Sequence, residues 1–411
     1  MRLAIAQIRT LPTRLDDNVA AICAAIDRAD TLGAEVIVFP ELAIPGYGCL
    51  DHFERVSFLE RNLRARDAVV AHTATTNCAA IVGYVDRADG KSYNSAAVIH
   101  RGEQIATVDK THLPHYDIFW ESKYFEPARR RRPVEIAGRK VGIEICEDLW
   151  DESYPVKVSD ALVADGAEFL INISASPFSV GKLERRRALV EGVTGRHGVP
   201  FVYVNLVGSQ DGYEGETVFD GRSFAVDEKG QPLLVAPGFE EVVEMVTVPI
   251  AGPADAAASA AWPETQPIEE LHDALTLGIR EYLHRSGFAR AIIGLSGGID
   301  SAVVAALATE ALGPESVLGV TMPSSITSDE TLSDARALAA NLGIRCETRS
   351  IRELVAAWET EALATHGELK SGLTRQNVQA RLRGLILMEY SNEDSRALVI
   401  STGNKTELAL G

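Results

Sequence analysis

Apolar and polar positions alternate along the first 250 residues in a way that predicts strands and helices in succession. Short apolar runs, typical of strands buried on both faces, occur at residues 36–39, 79–82, 141–145, 169–173 and 201–204. The stretches Asp17 to Leu32 and Ser159 to Asp165 have helical spacing, and Gly33 and Gly166 follow at their C-terminal ends. This alternation predicts an α/β domain.

A change in composition separates this region from the rest of the chain. Residues 251–267, AGPADAAASAAWPETQP, contain seven Ala and three Pro and have no amphipathic period. We interpret them as a linker between a domain at residues 1–250 and a second domain at residues 268–411.

The second domain again alternates helices and strands. A helix is expected from Ile268 to Gly287 and another from Asp329 to Leu342, with Ser328 as its N-cap. Strands are expected at residues 291–293, 317–320, near 344–351 and at 398–400. The pattern predicts a doubly wound parallel sheet with helices on both faces, and ligands of such sheets bind at the carboxyl ends of the strands.

Composition narrows the class of protein. A chain of 411 residues suggests two or three domains. Its net charge of −18 argues against non-specific binding to nucleic acid or to an anionic membrane. No apolar run reaches the roughly eighteen residues of a membrane span. The five cysteines are odd in number and widely spaced, which suits a reducing compartment, and we expect a cytoplasmic protein.

Residues 294–301, Gly-Leu-Ser-Gly-Gly-Ile-Asp-Ser, lie between a predicted strand and a predicted helix. Glycines at such a position let backbone N–H groups approach a phosphate, whose charge the helix dipole favours. The lysine of the ordinary NTP phosphate loop is absent from this stretch. The motif resembles the pyrophosphate loop of ATP pyrophosphatases, which join AMP to a substrate. A tight turn without a ligand is the alternative.

Three residues in the first domain have the chemistry needed to attack an amide, and each follows a predicted strand: Glu41, Lys110 and Cys146. The carboxylate accepts the thiol proton, the thiolate attacks the carbonyl carbon, and the cation stabilises the oxyanion. A nearby lysine also favours a lowered pKa of the thiol. Each residue alone has a simpler explanation, because such a cysteine is commonly a buried apolar side chain and a lone Lys or Glu commonly faces solvent.

The segments around these residues, Phe-Pro-Glu, Lys-Thr-His-Leu-Pro and Cys-Glu-Asp, resemble the nitrilase or carbon–nitrogen hydrolase superfamily. The resemblance covers the whole first domain and implies an αββα sandwich. It implies Glu41 as general base, Lys110 as oxyanion stabiliser, Cys146 as nucleophile and Glu121 as a second glutamate beside the lysine. It also implies a pocket for the glutamine amide formed by Tyr47, Tyr116, Glu147, Ser174 and Ser176. Residues 209–217, where the chain departs from that family, are expected to form a long acidic loop.

Two further stretches of the second domain resemble NAD synthetases within the ATP pyrophosphatase group. They are residues 376–383, expected to open a helix, and residues 401–407, expected to follow a buried strand. The resemblance implies ATP contacts from Gly294, Ser296, Gly297, Gly298, Asp300, Ser301 and Thr402. It implies contacts with deamido-NAD from Asn377, Arg381 and Lys405. Asp300 and Glu407 are expected to hold Mg²⁺ through carboxylate oxygens. Arg381 and Arg383 on a charged outer helix face are the alternative to a nucleotide contact.

An amidase joined to an adenylating ligase resembles the glutamine-dependent NAD synthetases. The implied reaction begins with attack of deamido-NAD on ATP, and ammonia from glutamine then displaces AMP to give NAD. The expected ligands are therefore L-glutamine, deamido-NAD, ATP and Mg²⁺, without a tightly bound organic cofactor. We also expect an internal passage for ammonia and a homo-oligomer.

Two other functions stay open at this point. One is a stand-alone amide hydrolase or glutaminase whose second domain does not function, and the other is a non-enzymatic assembly or regulatory subunit. Because the synthetases continue past the Asn-Lys-Thr-Glu stretch at residues 404–407, we expect a C-terminally incomplete synthetase domain. A fragment of a longer polypeptide explains this best.

Overall fold

The computed structural model describes residues 1–212, 215–250, 260–368 and 372–410. Packing divides the chain into two compact units, Met1–Ala274 and Leu275–Gly411. Residues 251–259 of the predicted linker lie outside the described residues, so the linker stays a prediction. None of the helices in the described part of the chain combines the length and apolar character that a membrane crossing requires.

The first unit is built from two six-stranded sheets with helices outside them. Its strands are, in chain order, β1 (Arg2–Gln7), β2 (Val36–Val38), β3 (Ala79–Ala88), β4 (Lys91–His100), β5 (Glu103–Asp109), β6 (Val134–Ile136), β7 (Arg139–Ile145), β8 (Phe169–Ser174), β9 (Phe201–Asn205), β10 (Val207–Asp211), β11 (Glu216–Asp220), β12 (Phe224–Val226), β13 (Pro232–Val235) and β14 (Val242–Thr247). Its helices are α1 (Leu15–Thr31), α2 (Val56–His72), α3 (Glu121–Tyr124), α4 (Val158–Ala164) and α5 (Lys182–His197). One sheet has the order β14-β1-β2-β3-β4-β5 and the other β13-β12-β9-β8-β7-β6.

Three apolar layers hold this unit together. Ile5 of β1 and Val38 of β2 pack against Ile143 of β7 and Ile171 of β8 in the layer between the sheets. Helices α1 and α2 cover the outer face of the first sheet, and α4 and α5 cover that of the second. Because β7, β8 and β9 are apolar on both faces, they pack against a sheet on one side and helices on the other. The result is the αββα sandwich that the sequence predicts.

The direction of the strands gathers the predicted catalytic residues at one edge of each sheet. Strands β2, β3 and β5 run the same way, as do β7 and β8. Glu41 follows β2, Lys110 follows β5 directly, and Cys146 follows β7 directly. Each side chain therefore lies beyond the carboxyl end of its strand, where the backbone leaves the ladder.

The predicted helices of the first unit agree with α1 and α4 to within two residues at each end. The prediction of a loop at residues 209–217 is wrong, because β10 and β11 pair there as an antiparallel hairpin, with Ser209 opposite Val218. Two of the polar side chains that suggested a loop, Ser209 and Gln210, are buried on β10. The tip of this hairpin, residues 213–214, lies outside the described residues.

The second unit is a doubly wound parallel sheet, as predicted. Its strands are β15 (Arg290–Gly294), β16 (Val317–Thr321), β17 (Arg345–Thr348) and β18 (Ala397–Ile400), in the order β17-β16-β15-β18 and all parallel. Helix α6 (Pro267–Arg285) leads into it, followed by α7 (Ile299–Leu312), α8 (Asp329–Leu342), α9 (Arg352–His366), α10 (Gly372–Glu393) and α11 (Lys405–Leu410). Ala305 of α7 and Ala339 of α8 pack on one face of the sheet, and Val355 of α9 and Ile386 of α10 on the other.

Local signals account for part of this agreement. Helix α8 has the predicted bounds, and its first turn is capped by Ser328, whose hydroxyl accepts the N–H of Thr331 at 3.2 Å. The prediction that residues 398–400 are buried is wrong, because β18 is an edge strand of the described sheet and only its first residue, Ala397, is buried. Residues 376–383 lie within α10, which begins earlier, at Gly372.

Candidate active site

A buried cluster of one lysine and two glutamates lies at the sheet edge of the first unit. The Nζ of Lys110 is 2.6 Å from Glu41 Oε1 and 2.7 Å from Glu121 Oε1. Lys110 and Glu41 are fully buried, and Glu121 is 5% exposed. Burial lowers the pKa of Lys110, but the charges of Glu121 and Glu41 outweigh it, so the pKa lies well above its usual value. The lysine is therefore a permanent cation in this site.

Burial weakens the acidity of the Glu121 carboxyl. Burial raises its pKa to about 7, although the Lys110 charge opposes this. The Tyr47 hydroxyl donates to Glu121 Oε1 at 2.8 Å, which fixes the carboxyl beside the lysine. Among the predicted pocket residues, Tyr47 thus contacts the catalytic cluster directly.

Asn94 is a member of this cluster that the sequence reasoning missed. Its Nδ2 donates to Glu41 Oε1 at 2.7 Å and to Glu121 Oε2 at 3.3 Å. The backbone N–H of Ala175 donates to the other oxygen, Glu41 Oε2, at 2.9 Å. The available signal was an amide side chain close to the apolar run at residues 96–99 of β4, since a buried amide in a strand needs partners.

Cys146 lies where β7 gives way to a short 3₁₀ helix, Cys146–Leu149. Its φ of +47° is in the left-handed region, which non-glycine residues adopt mainly where the surroundings require it. Burial, together with the Glu41 charge, raises the pKa of the thiol well above its usual value, although Lys110 opposes this. Lys110 lowers this pKa, as expected, but burial and the Glu41 charge outweigh the lysine, so the thiolate is not the favoured form. The thiol is neutral at rest and needs a base when it attacks.

The predicted amide-pocket residues divide into two groups. Tyr116 donates to both oxygens of Glu147 at 3.0 Å, and Tyr154 donates to Glu147 Oε1 at 3.1 Å. Burial raises the pKa of Glu147, although these hydroxyls oppose it. By contrast, the Ser174 hydroxyl donates to Asn172 Oδ1 at 2.6 Å, deeper in the sheet. The fifth predicted residue, Ser176, is 3% exposed, and its N–H donates to Asn205 Oδ1.

Lys182 is a second residue that the sequence reasoning missed. Its Nζ lies 4.4 Å above the centroid of the Trp150 ring, and no carboxylate pairs with it among the described residues. Burial lowers its pKa, the Arg186 charge adds to this, and attraction to the Cys146 thiolate opposes it. The signal was the lysine after Gly181 that opens α5, directly beyond β8. Glu147 and Lys182 supply opposite charges near Cys146, as the α-amino and α-carboxylate groups of an amino acid require.

The second unit contains a cavity of about 920 Å³ at the carboxyl ends of β15, β16 and β18. Four of the residues predicted to contact ATP or metal line it: Gly294, Ser296, Thr402 and Glu407. A neighbouring cavity of about 330 Å³ is lined by Gly297 and Gly298. The volume of the larger cavity suits a nucleotide.

The glycine-rich loop has a fixed internal structure. Gly297 has φ +82°, and a Cβ there would lie 2.4 Å from the carbonyl oxygen of Thr331, so only glycine fits. The Ser301 hydroxyl donates to the Gly298 carbonyl at 3.0 Å and accepts the Ser296 N–H at 3.3 Å. Ser301 is 2% exposed, so its hydroxyl stabilises the turn from within.

The residues predicted to contact deamido-NAD, Asn377, Arg381 and Lys405, are exposed and do not line the larger cavity. Arg381 donates to the Asn377 carbonyl at 3.3 Å. Arg383 lines the cavity instead, and its Nε donates to the Met322 carbonyl at 3.2 Å. Burial lowers the pKa of Arg383. Arg383 is therefore the guanidinium placed to meet a phosphate.

The predicted metal ligands, Asp300 and Glu407, are carboxylates that are not part of a larger cluster of ligating side chains in the described residues. Asp300 is exposed in the first turn of α7, and Glu407 lines the cavity while its Oε2 accepts the Asn404 N–H at 3.0 Å. Within the described ranges no group of three or more His, Cys, Asp or Glu side chains could hold a metal ion. One or two carboxylates nevertheless fit Mg²⁺, which takes its other ligands from phosphates and water.

Both units match known families. The carbon–nitrogen hydrolase family model matches residues 2–256, and the NAD synthase model matches residues 271–411. The glutamine-dependent NAD(+) synthetase of Synechocystis sp. is 37% identical over all of this chain and 75% of its own length, and that of Thermotoga maritima is 35% identical with the same coverage. The solved glutamine-dependent NAD+ synthetase of Acinetobacter baumannii, in complex with ADP, superposes with a TM-score of 0.91 at 31% identity. That match covers all of this chain and 76% of the solved chain.

Proposed function

Since this chain belongs to the glutamine-dependent NAD(+) synthetases, which are ATP-dependent ligases, we propose that its first unit releases ammonia from glutamine and its second unit uses that ammonia to amidate deamido-NAD. The observation that carries the proposal is the contact of Lys110 with both Glu41 and Glu121 at the edge of the first sheet. Cys146 follows β7 of the second sheet, and its thiol lies within the influence of the Glu41 and Lys110 charges. This arrangement supplies a nucleophile, a base and a cation for amide hydrolysis.

Glutamine is proposed to bind through its charged ends. The Glu147 carboxylate, held by Tyr116 and Tyr154, receives the α-ammonium group, and Lys182 receives the α-carboxylate. These contacts leave the side-chain amide free to approach Cys146. Because both groups are partly desolvated, their pairing with the substrate is stronger than on an open surface.

The reaction then proceeds through a thioester. As the Cys146 sulfur bonds to the amide carbon, Glu41 takes the thiol proton and Lys110 stabilises the oxyanion. The tetrahedral adduct collapses with cleavage of the C–N bond, and the nitrogen leaves as ammonia with the proton from Glu41. Glu41 next removes a proton from water, which attacks the thioester and releases glutamate and the Cys146 thiol.

The second unit is proposed to bind ATP in its larger cavity, with Gly294, Ser296 and Thr402 beside the nucleotide and Arg383 on a phosphate. Mg²⁺, held by Asp300 and Glu407, supplies charge neutralisation of the phosphates when bound. The nicotinate carboxylate of deamido-NAD attacks the α-phosphorus, pyrophosphate leaves, and ammonia then displaces AMP. Asn377, Arg381 and Lys405 stay proposed contacts of deamido-NAD.

We further propose that ammonia passes between the two reactions without mixing with solvent, since ammonia is mostly protonated in neutral water and only the free base attacks. The support is the presence of both activities in one chain. An added enzyme that consumes free ammonia is expected to leave glutamine-driven NAD formation intact, and loss of NAD formation contradicts this.

The cysteines Cys23, Cys49, Cys78, Cys146 and Cys346 are all free thiols, which supports a cytoplasmic location. A homo-oligomer is proposed as well, and sedimentation tests it.

The central test compares Cys146→Ala with the unchanged chain, using deamido-NAD, ATP and Mg²⁺ with either glutamine or ammonium. The expected result is NAD from both donors in the unchanged chain and from ammonium alone in the variant. Cys23→Ala, which replaces a partly buried cysteine of α1, is the matched control and should use both donors. Glutamine-driven NAD formation by Cys146→Ala contradicts the nucleophile assignment.

A further inference from the structure

One buried carboxylate that has no step in the proposed reaction connects the two segments carrying the catalytic residues. Asp148 Oδ1 accepts the backbone N–H of Thr111 at 3.0 Å and of His112 at 2.8 Å. Its other oxygen, Oδ2, accepts the N–H of Ile145 at 3.1 Å. The side chain is 1% exposed, so these contacts are shielded from water.

The three N–H groups are close in sequence to the lysine or to the nucleophile. Thr111 and His112 come directly after Lys110, where the chain has left β5, and Ile145 comes directly before Cys146, where β7 ends. Thr111 and His112 lie beyond β5, Ile145 is the last residue of β7, and a buried N–H without an acceptor destabilises the fold. The Asp148 carboxylate accepts from both places at once and thus ties Lys110 to Cys146 through two short chain segments.

The Cys146 backbone is the part that requires this support. Its φ of +47° persists only where surrounding contacts impose it. The N–H before Cys146 is bound by Asp148, and the Cys146 carbonyl accepts from Asn172 Nδ2 at 3.3 Å. Both sides of the nucleophile are therefore held by buried side chains.

The choice of a carboxylate at this position also needs a reason. Among the described residues no cation forms an ion pair with Asp148, and burial raises its pKa to about 7, against the effect of its backbone N–H donors. A purely structural contact is satisfied by a neutral side chain at lower desolvation cost. An amide, however, offers one acceptor oxygen, and its NH₂ group would face the N–H groups of one segment. Only a carboxylate accepts from both segments.

We propose that Asp148 is a positioning residue of glutamine hydrolysis. By accepting hydrogen bonds from the segments that carry them, Asp148 fixes the position of the oxyanion-stabilising lysine relative to the nucleophile. This inference rests on the proposed glutaminase function of the first unit. Asp148 itself does not contact the substrate in this proposal. The residues proposed to bind glutamine, Glu147 and Lys182, make no hydrogen bond to Asp148 in the described part of the chain.

The test measures glutamine hydrolysis by the full chain carrying Asp148→Asn. A displacement of about 1 Å between reacting groups costs on the order of 100-fold in rate, so kcat is expected to fall by about 100-fold or more. The KM for glutamine is expected to stay within about threefold, because the substrate contacts are retained. Ammonium-driven NAD formation is expected to be unchanged.

Val190→Ala is the matched control for a loss of stability alone, since Val190 is buried in α5 and packs in the outer layer of the same unit. It should lower the thermal midpoint without lowering kcat. If Asp148→Asn behaves like this control, or if the loss appears in KM, the inference is overturned.

A second variant covers the case in which Asp148→Asn does not fold. Asp148→Glu keeps both acceptor oxygens on a longer side chain, and a kcat at least about tenfold below that of the unchanged chain is expected, with KM retained. A kcat equal to that of the unchanged chain overturns the inference. Failure of the proposed function gives a different result, because the unchanged chain would then release no ammonia from glutamine.

Discussion

The buried carboxyl of Glu144 makes the stability of the first unit depend on pH in a direction that can be tested. Glu144 lies on β7, two residues before the nucleophile, and is fully buried. Its Oε2 accepts from the Ser159 hydroxyl at 2.7 Å and its Oε1 from Asn172 Nδ2 at 3.1 Å. Burial raises the pKa of Glu144 to about 8, although both hydrogen bonds oppose it. The Glu144→Gln substitution keeps the shape and the oxygen acceptor but removes the ionisation.

The sign and size of the effect follow from linkage. Between pH 4.5 and about 8 the unfolded chain loses the Glu144 proton while the native chain keeps it, so native stability falls as pH rises through this window. Each pKa unit corresponds to about 1.4 kcal/mol, which gives an upper limit of about 5 kcal/mol above pH 8. The Glu144→Gln variant does not lose stability in this way as the pH rises. It should match the unchanged protein near pH 5 and exceed it by about 3–5 kcal/mol at pH 9.

Calorimetry of the full chain at pH 5, 7 and 9 measures this difference. ATP with Mg²⁺ stabilises the unit that binds it, so the transition that does not move with ATP belongs to the first unit. A gain on the order of 10 °C is expected for Glu144→Gln at pH 9 in a unit of this size. Glu135→Gln, at an exposed position on β6, is the matched control and should show no such gain. Parallel pH dependence in the unchanged protein and Glu144→Gln would refute the reasoning.

Three further substitutions test individual contacts. A Cβ at Gly83 would lie 2.3 Å from the backbone nitrogen of Leu42, the residue after Glu41. Gly83→Ala is therefore expected to displace Glu41 and to lower the glutaminase kcat by about 100-fold. Ammonium-driven NAD formation is the internal control. Asn94→Ala removes a donor shared by two buried carboxylates and should lower the unfolding free energy by about 3 kcal/mol, measured in urea; an unchanged midpoint contradicts this. Gly297→Ala should raise the KM for ATP by about tenfold or more in the ammonium assay. Gly298→Ala should change it far less, because φ is −90° there and the nearest atom to an added Cβ is the side-chain Ser296 Oγ at 3.3 Å.

The αββα sandwich and the doubly wound sheet were predictable because their central strands are apolar on both faces. The runs at residues 141–145 and 169–173 identify β7 and β8 directly. The antiparallel strands β10 and β11 were not predictable in this way, since polar residues occupy both faces of β10 and the run resembles a loop. Helix α5 was missed for a related reason, because its charged residues hide its buried positions, Leu183 and Val190 among them.

Within the glutaminase site, residues that carry the chemistry were predictable from their types, whereas residues that hold them were not. Glu41, Lys110 and Cys146 each follow a strand and have recognisable reactivity. Asn94 and Asp148 act through hydrogen bonds to groups far away in sequence, and only the folded backbone shows those distances. The predicted effect of the lysine on the thiol pKa has the right direction, but the larger opposing effect of burial shows only in the folded chain.

The two sites differ in where the charge comes from, and this difference explains their contrasting burial. Neutral amide hydrolysis brings no charge with the reacting group, so the protein must hold a cation and a base in advance, and Lys110 and Glu41 are fully buried. ATP brings its own negative charge and the metal that accompanies it. In the proposed reaction the second unit needs only backbone N–H groups, one guanidinium and a pair of accessible carboxylates, and both Asp300 and Glu407 are exposed. A buried, compensated cluster beside the ATP cavity would instead oppose the entry of a charged substrate, because its own charges would already be satisfied.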